Sequence, residues 1–347
     1  MSEQKGSVQA YITLLINDSY LPGALLLAKI LKEKFQTKRK LLILTAGVSS
    51  EAVNFLVESY DEIIPIDADL LSDTNDSTLE NLKLLDRLDL DLSFNKLHIF
   101  NQTQYKKLVY LDLDILPLKP LDDLFEVELK GNEIAASPDA GWPDIFNSGL
   151  LVFHPSQKLF SELSGKLTSP ETDTTISFDG ADQGLLNQFF KGKWVRLPFS
   201  YNVTFSNHYE YLPALNFFMK EIRSFHFIGS SKPWSSFEFS KFNQLWWDEF
   251  NSFFNEEQKR QIVSLSRSGK QQGEAENLVI PDLINSWNRL TTHEDLAAEL
   301  NNKLEDIKDD SDNAKTEIED AITQVFPWES YRNEPTRVFP KSDSPYF

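Results

Sequence analysis

Strand-length apolar runs alternate with stretches of helical spacing over the first part of the chain. Ala10–Ile16 is a strand-length apolar run, Leu21-Pro22-Gly23 opens a helical pattern through Phe35, and Leu41–Leu44 reads as a second strand. Helical spacing over Glu51–Tyr60 precedes Ile63-Ile64, where a third strand starts. Strands separated by helices of this length imply βαβ units and an α/β fold with a parallel or mixed sheet. Such sheets bind ligands beyond the carboxyl ends of their strands. Leu108–Leu111 predicts a further buried strand, and Asp112-Leu113-Asp114 lies directly beyond it.

Two carboxylates one residue apart at that edge are hard oxygen ligands suited to magnesium or manganese, with a substrate diphosphate filling other positions. The spacing alone is weak, because Asp67-Ala68-Asp69, Asp89-Leu90-Asp91 and Asp310-Ser311-Asp312 repeat it. Asp67 also follows a strand and is the strongest rival. Asp89 and Asp91 follow a mixed polar and apolar stretch, and Asp310 belongs to the highly charged segment Glu305–Asp320.

The balance of 34 Lys and Arg against 53 Asp and Glu gives a net charge of -19. That argues against a nucleic-acid or anionic-membrane surface, yet leaves room for one diphosphate site. There are no cysteines, which removes disulfides, thiolate metal sites and a Cys nucleophile and fits a reducing compartment. No apolar segment approaches the length needed to span a bilayer, and the polar N-terminus lacks a signal-type stretch. The expected location is the cytoplasm, so the Asn-x-Ser/Thr triplets at Asn17, Asn75, Asn101 and Asn202 are read as chance. After about Ser266 the composition turns polar until Asp320, with one weak helical pattern at Leu296–Ile307. Large apolar side chains return at Val325-Phe326-Pro327-Trp328 and Val338-Phe339-Pro340, as in a docking peptide or a tail that folds back. The division expected is a catalytic domain over 1–265, a charged linker over 266–320 and a docking segment over 321–347.

Six stretches fall in a specific order: Ile12 to Tyr20, Tyr110 to Asp114, Gly141-Trp142-Pro143-Asp144 through Gly149, Asp179-Gly180-Ala181-Asp182-Gln183-Gly184, Leu197 to Asn202, and His226 to Trp234. In that order they resemble the glycogenin family, the self-glucosylating primers of glycogen synthesis, over roughly the first 265 residues. The resemblance implies a GT-A nucleotide-sugar-binding fold, a Rossmann-like mixed sheet flanked by helices, with UDP-glucose as donor, manganese as metal and retention at the anomeric carbon. It makes Asp112, Asp114 and His226 the metal ligands. A histidine between Phe225 and Phe227 would otherwise read as a core residue.

By the same resemblance, Leu14, Ile16, Asn17 and Tyr20, in and just after the first strand, fall at donor-binding positions, and Arg87 and Lys96 are basic groups near the diphosphate and sugar. Lys232 is placed to offset charge on the UDP leaving group, near Gly229, where a backbone without a side chain can approach a ligand. The chain departs from the family at Ile16, where vertebrate-type members carry Thr, and at Leu113, which replaces Ala and is expected to crowd the ribose. Asn147, Ser148, Asp179, Asp182 and Gln183 match sugar-binding and catalytic positions. Asp182 is either a nucleophile or a group that orients the glucose hydroxyls, although a carboxylate on an exposed loop is ordinarily just solvated. Tyr209-Glu210-Tyr211-Leu212-Pro213 resembles the segment that carries the family's glucose acceptor, with Tyr209 the first choice and Tyr211 its rival. The C-terminal segment resembles the one that engages glycogen synthase, and the family also implies a homodimer and a glucan chain as partner. Competing readings are an inactive scaffold for the synthase and a transferase acting on a small acceptor.

Overall fold

The computed structural model describes residues 8–67, 92–168, 177–204, 212–229, 231–235 and 240–268. The predicted alternation appears as β1 (Gln9–Leu15), α1 (Leu21–Lys29), β2 (Lys40–Thr45), α2 (Ser50–Ser59) and β3 (Glu62–Pro65). Each boundary has a local cause. Asn17 accepts a hydrogen bond from Ser19 N at 2.9 Å and so caps the tight turn Asp18–Tyr20 that precedes α1. Pro22, in the first turn of α1, lacks only an N–H that would have no helical partner there. Past Lys29 the coil widens into a π-helical turn over Ile30–Lys34, so the helical pattern expected to run through Phe35 holds with a change of winding. Ser49 caps α2 by accepting from Ala52 N at 3.2 Å.

The chain continues through β4 (Lys107–Leu111), β5 (Ile115–Pro117), β6 (Ile134–Pro138), β7 (Phe146–Phe153), α3 (Gln157–Thr168), α4 (Asp182–Phe189) and β8 (Trp194–Arg196). It closes with β9 (Val203–Thr204), α5 (Leu212–Phe218), β10 (Ser224–His226), α6 (Lys241–Phe253) and α7 (Glu256–Ser268). The main sheet has the order β3-β2-β1-β4-β7-β6-β8. Its first four strands are mutually parallel, whereas β7 runs antiparallel to both β4 and β6, so the sheet is mixed.

Side chains of β1 alternate between two apolar clusters, Tyr11 and Leu15 in one and Ala10, Ile12 and Leu14 in the other. Both faces of the sheet are therefore covered. Full burial of β4 and β7 follows, and with it the continuous apolar reading of Leu108–Leu111. Each such Leu or Val contributes about 1.5–3 kcal/mol relative to exposure.

A second, three-stranded sheet of order β5-β10-β9 stands beyond the end of β4. Sequence periodicity did not reveal it, because its strands are only two or three residues long. Its placement decides where His226 goes, since β10 pairs antiparallel with the strand that immediately follows Asp114. Among the described residues, no helix is long and apolar enough to cross a membrane. Arg87, Tyr209, Tyr211 and the expected linker and docking segment beyond Ser268 lie outside the described residues.

Candidate active site

The end of β4 and the end of β10 bring the proposed metal ligands together. Donor atoms of Asp112, Asp114 and His226 all lie within 4.8 Å of one another. His226 Nε2 is 3.2 Å from Asp114 Oδ1 and 3.8 Å from Asp112 Oδ2. The Phe227 amide donates to the Asp114 carbonyl at 3.0 Å, and the Asp112 amide donates to the Gly149 carbonyl at 2.8 Å, so backbone ties fix both carboxylate-bearing positions. Of the two carboxylates, Asp112 is the more open, with its side chain 24% exposed against 8% for Asp114. Two carboxylates and an imidazole form a mixed oxygen and nitrogen set that suits a divalent ion such as manganese, so these residues fit the metal. The rival Asp67 instead meets His98 through its backbone; burial lowers the His98 pKa, and the nearby Asp67 only partly offsets it.

Packing explains the position of the imidazole. A Cβ built on Gly149 would lie 2.3 Å from His226 Cε1 and 2.8 Å from Nδ1, so only glycine admits the ring here. Glycine inside an otherwise apolar strand signals such a close approach, and Gly149, the last residue of the Gly141–Gly149 stretch, makes that room for the imidazole. Gly23 acts similarly, since its Cβ would stand 2.3 Å from the Leu113 carbonyl and 2.9 Å from Trp234. Leu113 is buried in the first apolar cluster, and Leu14 in the second. The bulk of Leu113, expected to crowd a ribose, is thus packed among core side chains.

Two buried ammonium groups flank the carboxylates. Lys232 donates to Asp114 Oδ2 and, at 2.9 Å, to the Phe227 carbonyl. Burial alone would raise the Asp114 pKa, but the charges of Lys232 and His226 outweigh it and hold the carboxyl well below its usual range. The Lys232 ammonium also lies 5.6 Å above the ring of Tyr20, which packs edge-on against Trp234. Lys96 is the second cation. Its Nζ stands 2.7 Å from Asp182 Oδ2, 3.3 Å from Asp112 Oδ1 and 3.4 Å from Ser148 Oγ. Burial opposes its charge, yet the carboxylates of Asp112 and Asp182 outweigh burial and hold the ammonium above the ordinary lysine range. The Asp182 contact is charge pairing outside directed hydrogen-bond geometry.

Asp182 corrects one expectation. Instead of lying on an exposed loop, it occupies the first position of α4 and is buried. Its amide donates to Ser93 Oγ at 3.1 Å, and the helix N-terminus favours its negative charge. Asp179 holds that terminus in place by accepting from Ser177 Oγ, Ala181 N and Gly184 N at 2.6, 2.9 and 3.0 Å. Burial nevertheless pushes the Asp179 pKa up. Gln183 accepts from Ser148 N at 3.1 Å and donates to Asp139 Oδ2 at 2.7 Å. Asn147 Oδ1 accepts from Gly149 N and Asn202 Nδ2. Ile16 is half-buried against the second apolar cluster, while Gly229 has φ +93, a conformation that itself calls for glycine.

Lys96, Asp112, Asp114, Ser148, Asp182, His226 and Lys232 therefore converge at the carboxyl edge of the sheet, with Asn147, Asp179 and Gln183 supporting them. Acidic ligands backed by two cations can hold a metal and receive a phosphorylated donor, which is the electrostatic equipment of group transfer.

Comparison with known proteins agrees. Residues 11–238 match glycosyl transferase family 8. The chain is 34% identical to glycogenin of Komagataella phaffii across 95% of this chain and 98% of the relative, and 38% identical to glycogenin-1 of Mus musculus across 70% and 76%. Among solved structures, it is similar in fold to the galactosyltransferase LgtC, crystallised with donor and acceptor sugar analogs, at a TM-score of 0.51 and 17% identity over 73% of this chain and 99% of that one. The fold is that of the GT-A glycosyltransferases, and the chain belongs to glycosyl transferase family 8, within the glycogenin family.

Proposed function

We propose that this chain transfers glucose from UDP-glucose, with manganese, to its own Tyr209 or Tyr211 and then extends a short α-1,4-glucan that primes glycogen synthase. The observation that carries this reading is the convergence of Asp112, Asp114 and His226 with the Lys96–Asp182 pair, in a chain that aligns with a glycogenin along nearly its whole length. In the first transfer, the phenolic oxygen bonds to C1 of glucose, the bond from C1 to the β-phosphate oxygen breaks, UDP leaves and the phenol loses its proton. The metal, when bound by Asp112, Asp114 and His226, would act as a Lewis acid toward the diphosphate.

The chain's own residues divide the remaining work. Lys232 brings a positive charge to the ligand cluster and can offset charge on the departing UDP. Lys96 neutralises Asp182 and Asp112 together and holds the Asp182 carboxylate beside the metal-ligand cluster. Tyr20, whose ring lies under the Lys232 ammonium, and Asn17, just past the end of β1, would contact the donor. Beyond the catalytic unit, residues 321–347 would engage glycogen synthase through a tether over 266–320, raising its local concentration. A cytoplasmic homodimer is the assembly that completes this reading.

Intact mass after incubation with UDP-glucose and manganese tests it. The expected result is a series of hexose additions, sharply reduced in Tyr209→Phe and abolished when Tyr211 is also changed to Phe. Unchanged additions in the double variant would remove this loop as acceptor. A folded, unmodified chain that gains none would favour the scaffold reading.

A further inference from the structure

Trp142 is 94% exposed, the most open of the large apolar side chains among the described residues. An indole this open keeps its apolar face free for a ligand to cover. Its location is informative. It lies in the 139–145 connection between β6 and β7, and those strands are antiparallel, with Pro138 paired to Phe146. Because β7 also runs antiparallel to β4, with Leu111 opposite Leu150, this connection emerges at the edge where β4 delivers Asp112.

The loop is anchored to the catalytic machinery. Asp139 N donates to the Ile145 carbonyl at 2.9 Å, which closes its base. Asp139 Oδ2 accepts from Gln183, which in turn accepts from Ser148 N, so one chain of hydrogen bonds joins the loop to the neighbour of Asp182 and to the residue that contacts Lys96. Two other exposed apolar side chains, Phe178 and Ile228, belong to segments that carry Asp179 and His226. Three of the seven exposed large apolar side chains among the described residues thus lie in segments that build the site, and the other four, Val57 and Phe217 to Met219, lie elsewhere.

We propose that Trp142 is a stacking platform for the α-linked glucan acceptor, engaging a glucose ring beyond the one that receives the transferred residue. Glucopyranose rings present C–H faces between their hydroxyl edges, and the electron-rich face of an indole attracts them while its apolar area is covered. A flat ring held on an anchored loop suits a chain that lengthens, because each new glucose presents the same face. The proposal rests on the glucan-extending activity proposed above and adds the subsite that holds the acceptor. Trp142 is a specificity-determining residue and touches no reacting atom.

The test compares maltose with maltopentaose as acceptors for the full chain and for Trp142→Ala and Trp142→Phe. Substitution at so exposed a position leaves folding nearly unchanged. The wild-type chain is expected to favour maltopentaose in kcat/KM, Trp142→Ala to lose about tenfold of that preference, equivalent to ~1.4 kcal/mol, and Trp142→Phe to keep most of it. Equal use of both acceptors by the wild type, or an undiminished preference in Trp142→Ala, overturns the proposal. A change from dimer to monomer with the preference intact would make the loop a subunit contact and overturn it too. If the wild type transfers no glucose, the enzymatic reading falls by itself, and calorimetric titration with maltopentaose decides the platform. Binding weakened about tenfold in Trp142→Ala supports it, and absent or equal binding refutes it.

Discussion

Strands β4 and β7 lie side by side, yet they build the site in opposite ways. β4 is entirely core, and its chemistry begins only after the strand ends, at Asp112 and Asp114. β7 carries its site residues within the strand, where Asn147 bonds Asn202, Ser148 meets Lys96 and Gly149 makes room for His226. The parallel half therefore supplies charged ligands on a loop, and the antiparallel half supplies spacing and orientation. A ligand lost from the first removes chemistry, whereas a volume changed in the second displaces groups that remain present.

Lys96 is the joint between the halves, and removing it should have the largest effect. In Lys96→Met, Asp112 and Asp182 keep their charges but lose the ammonium between them, and breaking a buried pair on one side typically costs about 3–5 kcal/mol. Urea unfolding of the full chain measures this. Manganese bound beside Asp112 should restore part of the loss, so the deficit is expected to be greater with chelator than with metal. A loss under about 0.5 kcal/mol, equal in both conditions, would show that Lys96 does not join the two halves.

Gly149→Ala probes orientation alone, since every ligand survives. Its methyl would meet His226 at 2.3 Å, and overpacking of this kind costs about 1–3 kcal/mol. Manganese affinity, measured by calorimetry, should fall about 10–100-fold, as when a ligand loses its orienting partner. Gly184→Ala makes the matching intrusion on Asp179 and Ser177, and it should reduce glucose transfer while leaving manganese affinity within a few-fold of wild type. Equal losses of metal affinity in both variants would show that Gly149 has no particular part in orienting His226.

Legibility of the sequence followed the same division. Continuous apolar runs exposed β1, β2 and β4 because both sheet faces are covered, and the position of Asp112 after β4 followed directly. The metal group was readable through the ordered motifs, although His226 is buried between aromatic neighbours and has no distinguishing pattern of its own. Periodicity could not reveal the β5-β10-β9 sheet, whose strands are too short to repeat. It also could not show that Asp182 is buried, because the Lys96 contact spans 86 positions, from 96 to 182. Gly149 and Gly23 carried a signal, but the side chains they admit were identifiable only from the fold.

The smallest expected effect concerns the link between the antiparallel half and the Trp142 loop. Gln183→Met removes the bonds to Ser148 N and Asp139 while largely keeping volume, and each such bond contributes about 0.5–1.5 kcal/mol. The melting temperature should fall by a few degrees, and preference for maltopentaose should fall less than in Trp142→Ala. Combining the variants separates support from coincidence. If Gln183 acts by holding the loop, its effect on acceptor preference should shrink once Trp142 is gone, because there is no ring left to position. If the two effects add within about 0.3–0.5 kcal/mol, the hydrogen-bonded link stabilises the hairpin without positioning the tryptophan, and β7 then orients only the metal side of the site.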